Sequence, residues 1–200
     1  MTPLFPMFVK IAGRKCVVVG AGEIAESKIQ GLLASGASVL VVSPEANQSI
    51  EELAVAGRLQ WARRAFRASD LKGAALVIAA TDSREVNRKV FGVAERWGIL
   101  CNAVDQPEEC HFYYPAVVRR GALQIAISTS GTSPALAHRL REELQEQFGP
   151  EYEPYLAWLQ AIRQVVFTRR PDPARRQRLL KRFAARKTQK HFEARRGSRP

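Results

Sequence analysis

An α/β fold on a parallel sheet is what this sequence predicts, on three observations. Residues 16–19 form a short, β-branched apolar run suited to a strand buried on both faces, and the run stops at Gly20. Gly20-Ala21-Gly22-Glu23-Ile24-Ala25 then reads G-x-G-x-x-A, and Ala25, Ile29, Leu32 and Leu33 fall on one face of an amphipathic helix behind it. Beyond that helix, short apolar runs and helical patterns keep alternating to residue 104. In one sheet this calls for parallel strands, right-handed crossovers and ligands outside the strands' carboxyl ends.

Strand, glycine turn and helix together make the first βα unit of a Rossmann-type dinucleotide-binding fold. Gly20 permits the turn, Gly22 lets a pyrophosphate approach the backbone, and Ala25 keeps helix and strand close. The helix N-terminus, with Glu23 and Ile24 in its first turn, faces the anion. A ligand-free tight turn can carry the same glycines, but the strand before and the helix behind favour the nucleotide.

The elements follow in order. Residues 4–11 read as a lead-in strand or extended arm broken by Pro3 and Pro6, and Gly13-Arg14 turns the chain into the first core strand. Gly36 stops the first helix, and residues 38–42 form a second buried strand that ends at Ser43-Pro44-Glu45. An acidic residue near this point would bind the ribose 2′-hydroxyl of NAD. Ser43 and Glu45 can share that part, and no arginine stands there to receive a 2′-phosphate, so NAD is expected rather than NADP. Residues 49–56 are a short helix, 59–61 a third strand and 76–80 a fourth, which delivers Thr81 to the cofactor edge. Asp82 can cap the next helix and Glu85 can complete a capping box. Gly98 ends that helix, and a fifth strand over 99–104 carries Asn102 to the same edge and closes on Asp105.

Asp105 has two readings. A carboxylate just past a buried strand, on the cofactor edge, can take a proton from a substrate that gives up hydride, and an Asp two residues before Pro107 can equally cap a turn.

After His111 the pattern changes. Residues 112–118 and 123–128, joined by Arg119-Arg120-Gly121, read as an antiparallel pair outside the parallel core. Ser128 to Pro134 is a hydroxyl- and glycine-rich loop whose last two residues suit N-cap and N1 of a helix over 135–148. Ser130, Gly131, Thr132 and Ser133 can present amides and hydroxyls to an anion, or simply cap that helix. Val117, Val118, Ile125, Ile127 and Leu140 are more apolar surface than this element needs alone, which predicts a homodimer through 112–148. Helices are expected over 152–167 and 174–185, and 186–200 reads as disordered. The expected division is a nucleotide-binding domain over 1–112, a dimerisation and substrate element over 113–149, a C-terminal helical domain over 150–185, and a basic tail over 186–200.

Charge and composition narrow the function. Residues 1–149 hold 17 Lys and Arg against 15 Asp and Glu, whereas 150–200 hold 14 against 4, so the basicity is C-terminal. Nucleic acid, an acidic surface, a polyanionic small molecule and plain solubility are the candidate reasons; the tail lacks a helix-turn-helix or an aromatic stacking set, which counts against nucleic acid. No apolar run reaches the ~18 residues of a membrane span. Cys16, Cys101 and Cys110 show no C-x-x-C spacing, so no metal site is expected, and the pattern suits a reducing cytoplasm.

These motifs resemble a known family. KCVVVGAGEIAESK, VVSPE, AATDSREVN, CNAVDQPEECHFYYPA and ISTSGTSPALAHRLREEL are similar to the bacterial precorrin-2 dehydrogenases, both the monofunctional form and the N-terminal part of fused siroheme synthase, over residues 4–165. The resemblance implies NAD-dependent oxidation of precorrin-2 to sirohydrochlorin, a homodimer and, in some relatives, insertion of ferrous iron as well. It also implies that Asp105 is the essential acidic residue, and that the Ser130–Ser133 loop lies where subunits join and the tetrapyrrole binds. Arginines near the second element, Arg119 and Arg120 foremost with Arg139 and Arg141, are candidates for the substrate's carboxylates, and His111 stands where the family is expected to have Asn, Asp or Ser. A bifunctional dehydrogenase and ferrochelatase is the alternative activity, and a NAD-sensing regulator with a nucleic-acid-binding tail the remote one.

Overall fold

The computed structural model describes residues 4–169, 172–185 and 192. The described residues fall into two compact units, which divide between Tyr113 and Tyr114.

The first unit is a five-stranded parallel sheet in the order β3-β2-β1-β4-β5. Its strands are β1 (Lys15–Val19), β2 (Ser38–Val42), β3 (Gln60–Ala62), β4 (Leu76–Ala79) and β5 (Leu100–Ala103). Helices α1 (Glu23–Ala34), α2 (Gln48–Val55) and α3 (Arg84–Arg96) make the crossovers. Along β1 successive side chains serve opposite faces: Cys16 and Val18 pack with Ala25, Ile29 and Ile50, while Val17 and Val19 pack with Leu71, Val90 and Val93. Both faces are therefore covered, which is why the central strands β1, β2 and β4 are near-continuous apolar runs.

Register fixes the ligand edge. Val19 pairs with Val42 and Ala79, and Ala79 with Ala103, so three strand ends fall in line. The bonds from Gly20 N to Val42 O (3.0 Å), Ala80 N to Val19 O (2.8 Å) and Val104 N to Ala79 O (2.9 Å) carry that alignment one residue further. Residues 20, 43, 80–82 and 104–105 thus share one rim.

Local details differ from the expectations. Residues 4–11 form no strand; Phe5 and Phe8 are 84% and 69% exposed, and only Ile11 reaches the core. The cap of α3 is Ser83, whose hydroxyl accepts from Val86 N (3.3 Å), and not Asp82, because Asp82 sits one residue too early for its side chain to face the open amides.

The second unit holds the antiparallel hairpin β6 (Ala116–Arg120) and β7 (Leu123–Ile127), followed by α4 (Pro134–Gln147), α5 (Tyr152–Thr168) and α6 (Pro173–Phe183). Gly121, at φ +55°, occupies the hairpin turn. Ser133 caps α4, accepting from Leu136 N (3.2 Å), with Pro134 at its first position. Asp172 caps α6 in the same way. Tyr155 donates from its hydroxyl to Phe183 O (2.8 Å) and tethers α5 to α6. The expectation of disorder over 186–200 lies outside the described residues except at Phe192, whose ring lies against Tyr155 and Trp158 at 5.5 and 5.3 Å.

Candidate active site

The two glycines of the turn do different work. Gly20 has φ +107°, and a Cβ there would lie 2.2 Å from Ala80 O, so this position lets the ends of β1 and β4 close on each other. Gly22 is the N-cap of α1 with extended backbone, no side chain caps the helix, and a Cβ on it would meet nothing within 4 Å. The open space in front of Gly22 and the uncapped helix end are what a phosphate group needs, so the residues present fit a dinucleotide.

Two clefts meet at this point. The first, of about 500 Å³, is lined by Gly20, Gly22, Ser43, Glu45 and Thr81 among others. The second, of about 560 Å³, is lined by Gly22, Glu23, Ile24, Thr81, Asp82 and Asp105 among others. Gly22, Ala80, Thr81 and Asp82 belong to both, so one continuous groove crosses the helix N-terminus from Ser43 to Asp105. Ala25 is fully buried and lines neither cleft; it packs the helix on the sheet.

The walls are braced by residues not singled out above. Asn87, 2% exposed on α3, accepts at Oδ1 from Thr81 N (3.2 Å) and Thr81 Oγ1 (2.7 Å) and donates from Nδ2 to Thr81 O (3.0 Å). It holds both polar ends of Thr81's backbone and its hydroxyl. Asn47 caps α2, donates to Glu26 Oε2 (2.6 Å) and ties its own N–H to Ala21 O (3.1 Å), which fixes the far side of the glycine turn. A signal for Asn87 lay in the sequence: it sits three residues before Val90 on the apolar face of α3, where a polar group must be satisfied.

Asp105 sits at φ +60°, a left-handed conformation that Asp and Asn tolerate better than most residues, on the rim of the second cleft. Its loop is pinned from several sides. Gln106 N donates to Ala103 O (3.2 Å), the Cys110 thiol donates to Ala103 O (3.1 Å), and Arg88 pairs with the buried Glu109 at 2.8 Å. Among the described residues the Asp105 carboxylate receives no hydrogen bond from the turn, which the second of its two sequence readings would have had it cap. Lys28 faces it from α1: burial lowers the ammonium's pKa and the Asp105 charge pulls it back up.

Other candidates are engaged elsewhere. Asn102 donates to Phe112 O (2.8 Å) and lines neither cleft. His111 accepts at Nδ1 from Cys101 N (3.0 Å) and lies against Phe91, so it closes the strand edge rather than the groove. Burial pushes the Cys101 thiol up to about 12 and raises those of Cys16 and Cys110, so none offers a thiolate.

In the second unit, Arg120 spends its guanidinium on backbone: Nε to Phe148 O (2.9 Å), Nη2 to Gln145 O (3.0 Å) and Nη1 to Arg119 O (3.0 Å). It ties the hairpin to the end of α4. Arg119 is exposed; Arg139 and Arg141 pair with Glu143 and Glu142. In the loop, Ser130 has φ +52°, Gly131 φ +81°, and Thr129 Oγ1 accepts from Ser133 N (3.2 Å). The loop is thus built as a cap for α4 and leaves Ser130 and Gly131 at its tip.

Two family descriptions match in tandem: "Putative NAD(P)-binding" over residues 7–116 and "Sirohaem biosynthesis protein central" over 120–147. The chain belongs to the siroheme synthase and precorrin-2 dehydrogenase family. Among its relatives, siroheme synthase of Methylobacillus flagellatus is 42% identical over 161 residues, covering 80% of this chain and 34% of that protein. Siroheme synthase of Methylococcus capsulatus is 37% identical over 177 residues, covering 88% of this chain and 37% of that protein. The chain therefore spans about a third of the length of these curated relatives. The solved structure of SirC, a precorrin-2 dehydrogenase, superposes with a TM-score of 0.80 at 28% identity, covering 93% of this chain and 92% of that one. The boundary between the two family matches falls near the division of the structure at Tyr113 and Tyr114. Among the described residues no helix is long and apolar enough to cross a membrane.

Proposed function

We propose that this chain oxidises precorrin-2 to sirohydrochlorin with NAD as acceptor. The observation that carries the reading is the continuous groove from Ser43 past Gly22 to Asp105, with a carboxylate on a pinned loop at one end and an open helix N-terminus in the middle. Bound NAD supplies the hydride acceptor. The chain's own residues do the rest. Gly22 and the first-turn amides of α1 hold the pyrophosphate, Ser43 and Glu45 take the ribose hydroxyls, and Thr81, fixed by Asn87, forms the shared wall. Two hydrogens leave the macrocycle, one as hydride and one as a proton, and Asp105 accepts the proton at a carboxylate oxygen. Because its loop is held by Ala103, Cys110 and Glu109, that oxygen needs little reorganisation to act.

Ser130, Gly131, Thr132 and Ser133, with Arg119, belong to the substrate element, and Arg120 supports it from behind by holding α4. We further read residues 113–149 as the homodimer element and 150–185 as a separate helical region, and place the protein in the cytoplasm. NAD is preferred to NADP because, among the described residues, no arginine or lysine lines the first cleft beside Ser43.

Anaerobic incubation of the full chain with precorrin-2 and NAD tests the proposal. Sirohydrochlorin and NADH should appear in equal amounts, and a parallel sample with ferrous or cobaltous ion shows whether the product spectrum moves on to the metallated ring. Absence of both products in the metal-free sample would remove the dehydrogenase reading.

A further inference from the structure

We infer that Arg84 is a substrate-positioning residue, whose guanidinium receives a carboxylate of the macrocycle at the Asp105 end of the groove. The inference rests on the dehydrogenase reading above. Of the lysines and arginines in the first unit, Arg84 alone lines either cleft, and it shares the wall of the second with Glu23, Asp82 and Asp105. It is exposed, at the first position of α3, and makes no hydrogen bond or ion pair among the described residues. Neighbouring arginines are committed: Arg64 to Asp70, Arg88 to Glu109 and Arg96 to Gly92 O.

A positive charge in the first turn of a helix opposes the helix dipole, so local stability favours another residue there, and a broken local rule at a cleft points to function. The wall also sets three carboxylates against one guanidinium. A polycarboxylate substrate is repelled by the three; Lys28 faces Asp105 from α1 but does not line the cleft, so Arg84, the one cation on the wall itself, decides which edge of the ring enters beside Asp105. A guanidinium does this with direction as well as charge, because its planar fork meets a carboxylate through two parallel hydrogen bonds.

The test compares Arg84→Gln and Arg84→Lys with the wild-type chain. Steady-state rates are measured anaerobically with precorrin-2 varied at saturating NAD, and sirohydrochlorin and NAD affinities are measured separately by fluorescence titration. Arg84→Gln should raise KM for precorrin-2 and weaken sirohydrochlorin binding by at least about tenfold, with kcat moving far less and NAD affinity within about twofold of wild type. Arg84→Lys should recover part of the loss, since it keeps the charge but not the fork. Unchanged KM and unchanged sirohydrochlorin affinity in Arg84→Gln would overturn the inference. So would lost NAD affinity with precorrin-2 KM intact, which assigns Arg84 to the cofactor. A wild-type chain that binds sirohydrochlorin but oxidises no precorrin-2 would defeat the dehydrogenase reading instead, and the titrations would still decide Arg84.

Discussion

Gly20 and Gly22 stand two residues apart, yet substitution should separate their roles cleanly. A Cβ at Gly22 would meet nothing within 4 Å, so with Gly22→Asp the fold should survive with a thermal midpoint near wild type, while a carboxylate in the phosphate's position should weaken NAD binding at least about a hundredfold. Calorimetric titration with NAD checks it, and undiminished affinity would contradict the assignment of this turn. Gly20→Ala should do the reverse, destabilising the chain by about 2–4 kcal/mol through positive φ and the collision with Ala80 O. At Asp105 the useful change is to Asn, which tolerates φ +60° and keeps the shape. Loss of the proton acceptor should lower kcat by at least about a hundredfold with NAD affinity and thermal midpoint little changed. A variant turning over near the wild-type rate would send the proton elsewhere. Sequence left two readings of Asp105 because D-x-P loops commonly cap turns; the missing turn hydrogen bond, which counts against capping, is a fact only coordinates supply, and the proton-acceptor role is what Asp105→Asn tests.

At the level of elements, the segment before β4 is anchored by charge. Asp70, 5% exposed, takes two hydrogen bonds from Arg64 at 2.6 and 2.9 Å and one from Arg67 N at 2.8 Å. The Arg64 hydrogen bond, followed by that from Arg67, holds its carboxyl below the usual carboxylate range against the opposing effect of burial. A depressed folded pKa means that this stabilisation is fully present above the unfolded value of about 4 and is lost as pH falls through the folded one. Asp70→Asn should therefore cost about 2 kcal/mol at neutral pH and make the acid limb of a stability profile shallower. Urea denaturation at several pH values reads both. The elements themselves were legible because the central strands are near-continuous apolar runs and the helices α1 and α3 carry Ala25-Ile29-Leu32 and Val90-Val93-Ala94 stripes. The Arg64–Asp70 pair was not, since nothing in a spacing of six residues distinguishes an ion pair from two solvated charges. For the same reason Arg120 read as a substrate ligand: its three carbonyl partners lie up to 28 positions away.

For the whole molecule, the homodimer proposal meets a chain whose hairpin already buries part of its apolar surface. Val118 is 1% exposed and so is unavailable to a partner, whereas Val117, Ile125, Ile127 and Leu140 are half-buried and Leu136 is 38% exposed. Light scattering at micromolar concentration should give twice the monomer mass. Leu136→Glu, on the exposed face of α4, should shift that equilibrium towards monomer without a large loss of stability. A monomeric wild type would end the proposal. Sequence alone located the nucleotide half well, since glycine spacing and strand ends are local features. It left the substrate half open because Ser130, Arg119 and Arg84 acquire meaning only from what each one faces.

Trp61 supplies a means of watching the groove fill. Its indole N–H donates to Ser43 O (3.0 Å), on the wall of the first cleft, and Arg63 lies over its ring at 4.8 Å. An indole held by the backbone carbonyl of a groove residue is a built-in optical probe, so occupation of that end should change its emission, and reduction of the bound nucleotide should quench it by energy transfer. Trp61 itself lines neither cleft but is bonded to Ser43, which does; the other two tryptophans are Trp97 at the end of α3 and Trp158 in α5. A Trp97→Phe, Trp158→Phe background would therefore leave Trp61 as the sole fluorophore of its kind, and each catalytic cycle could be followed in real time without adding a label.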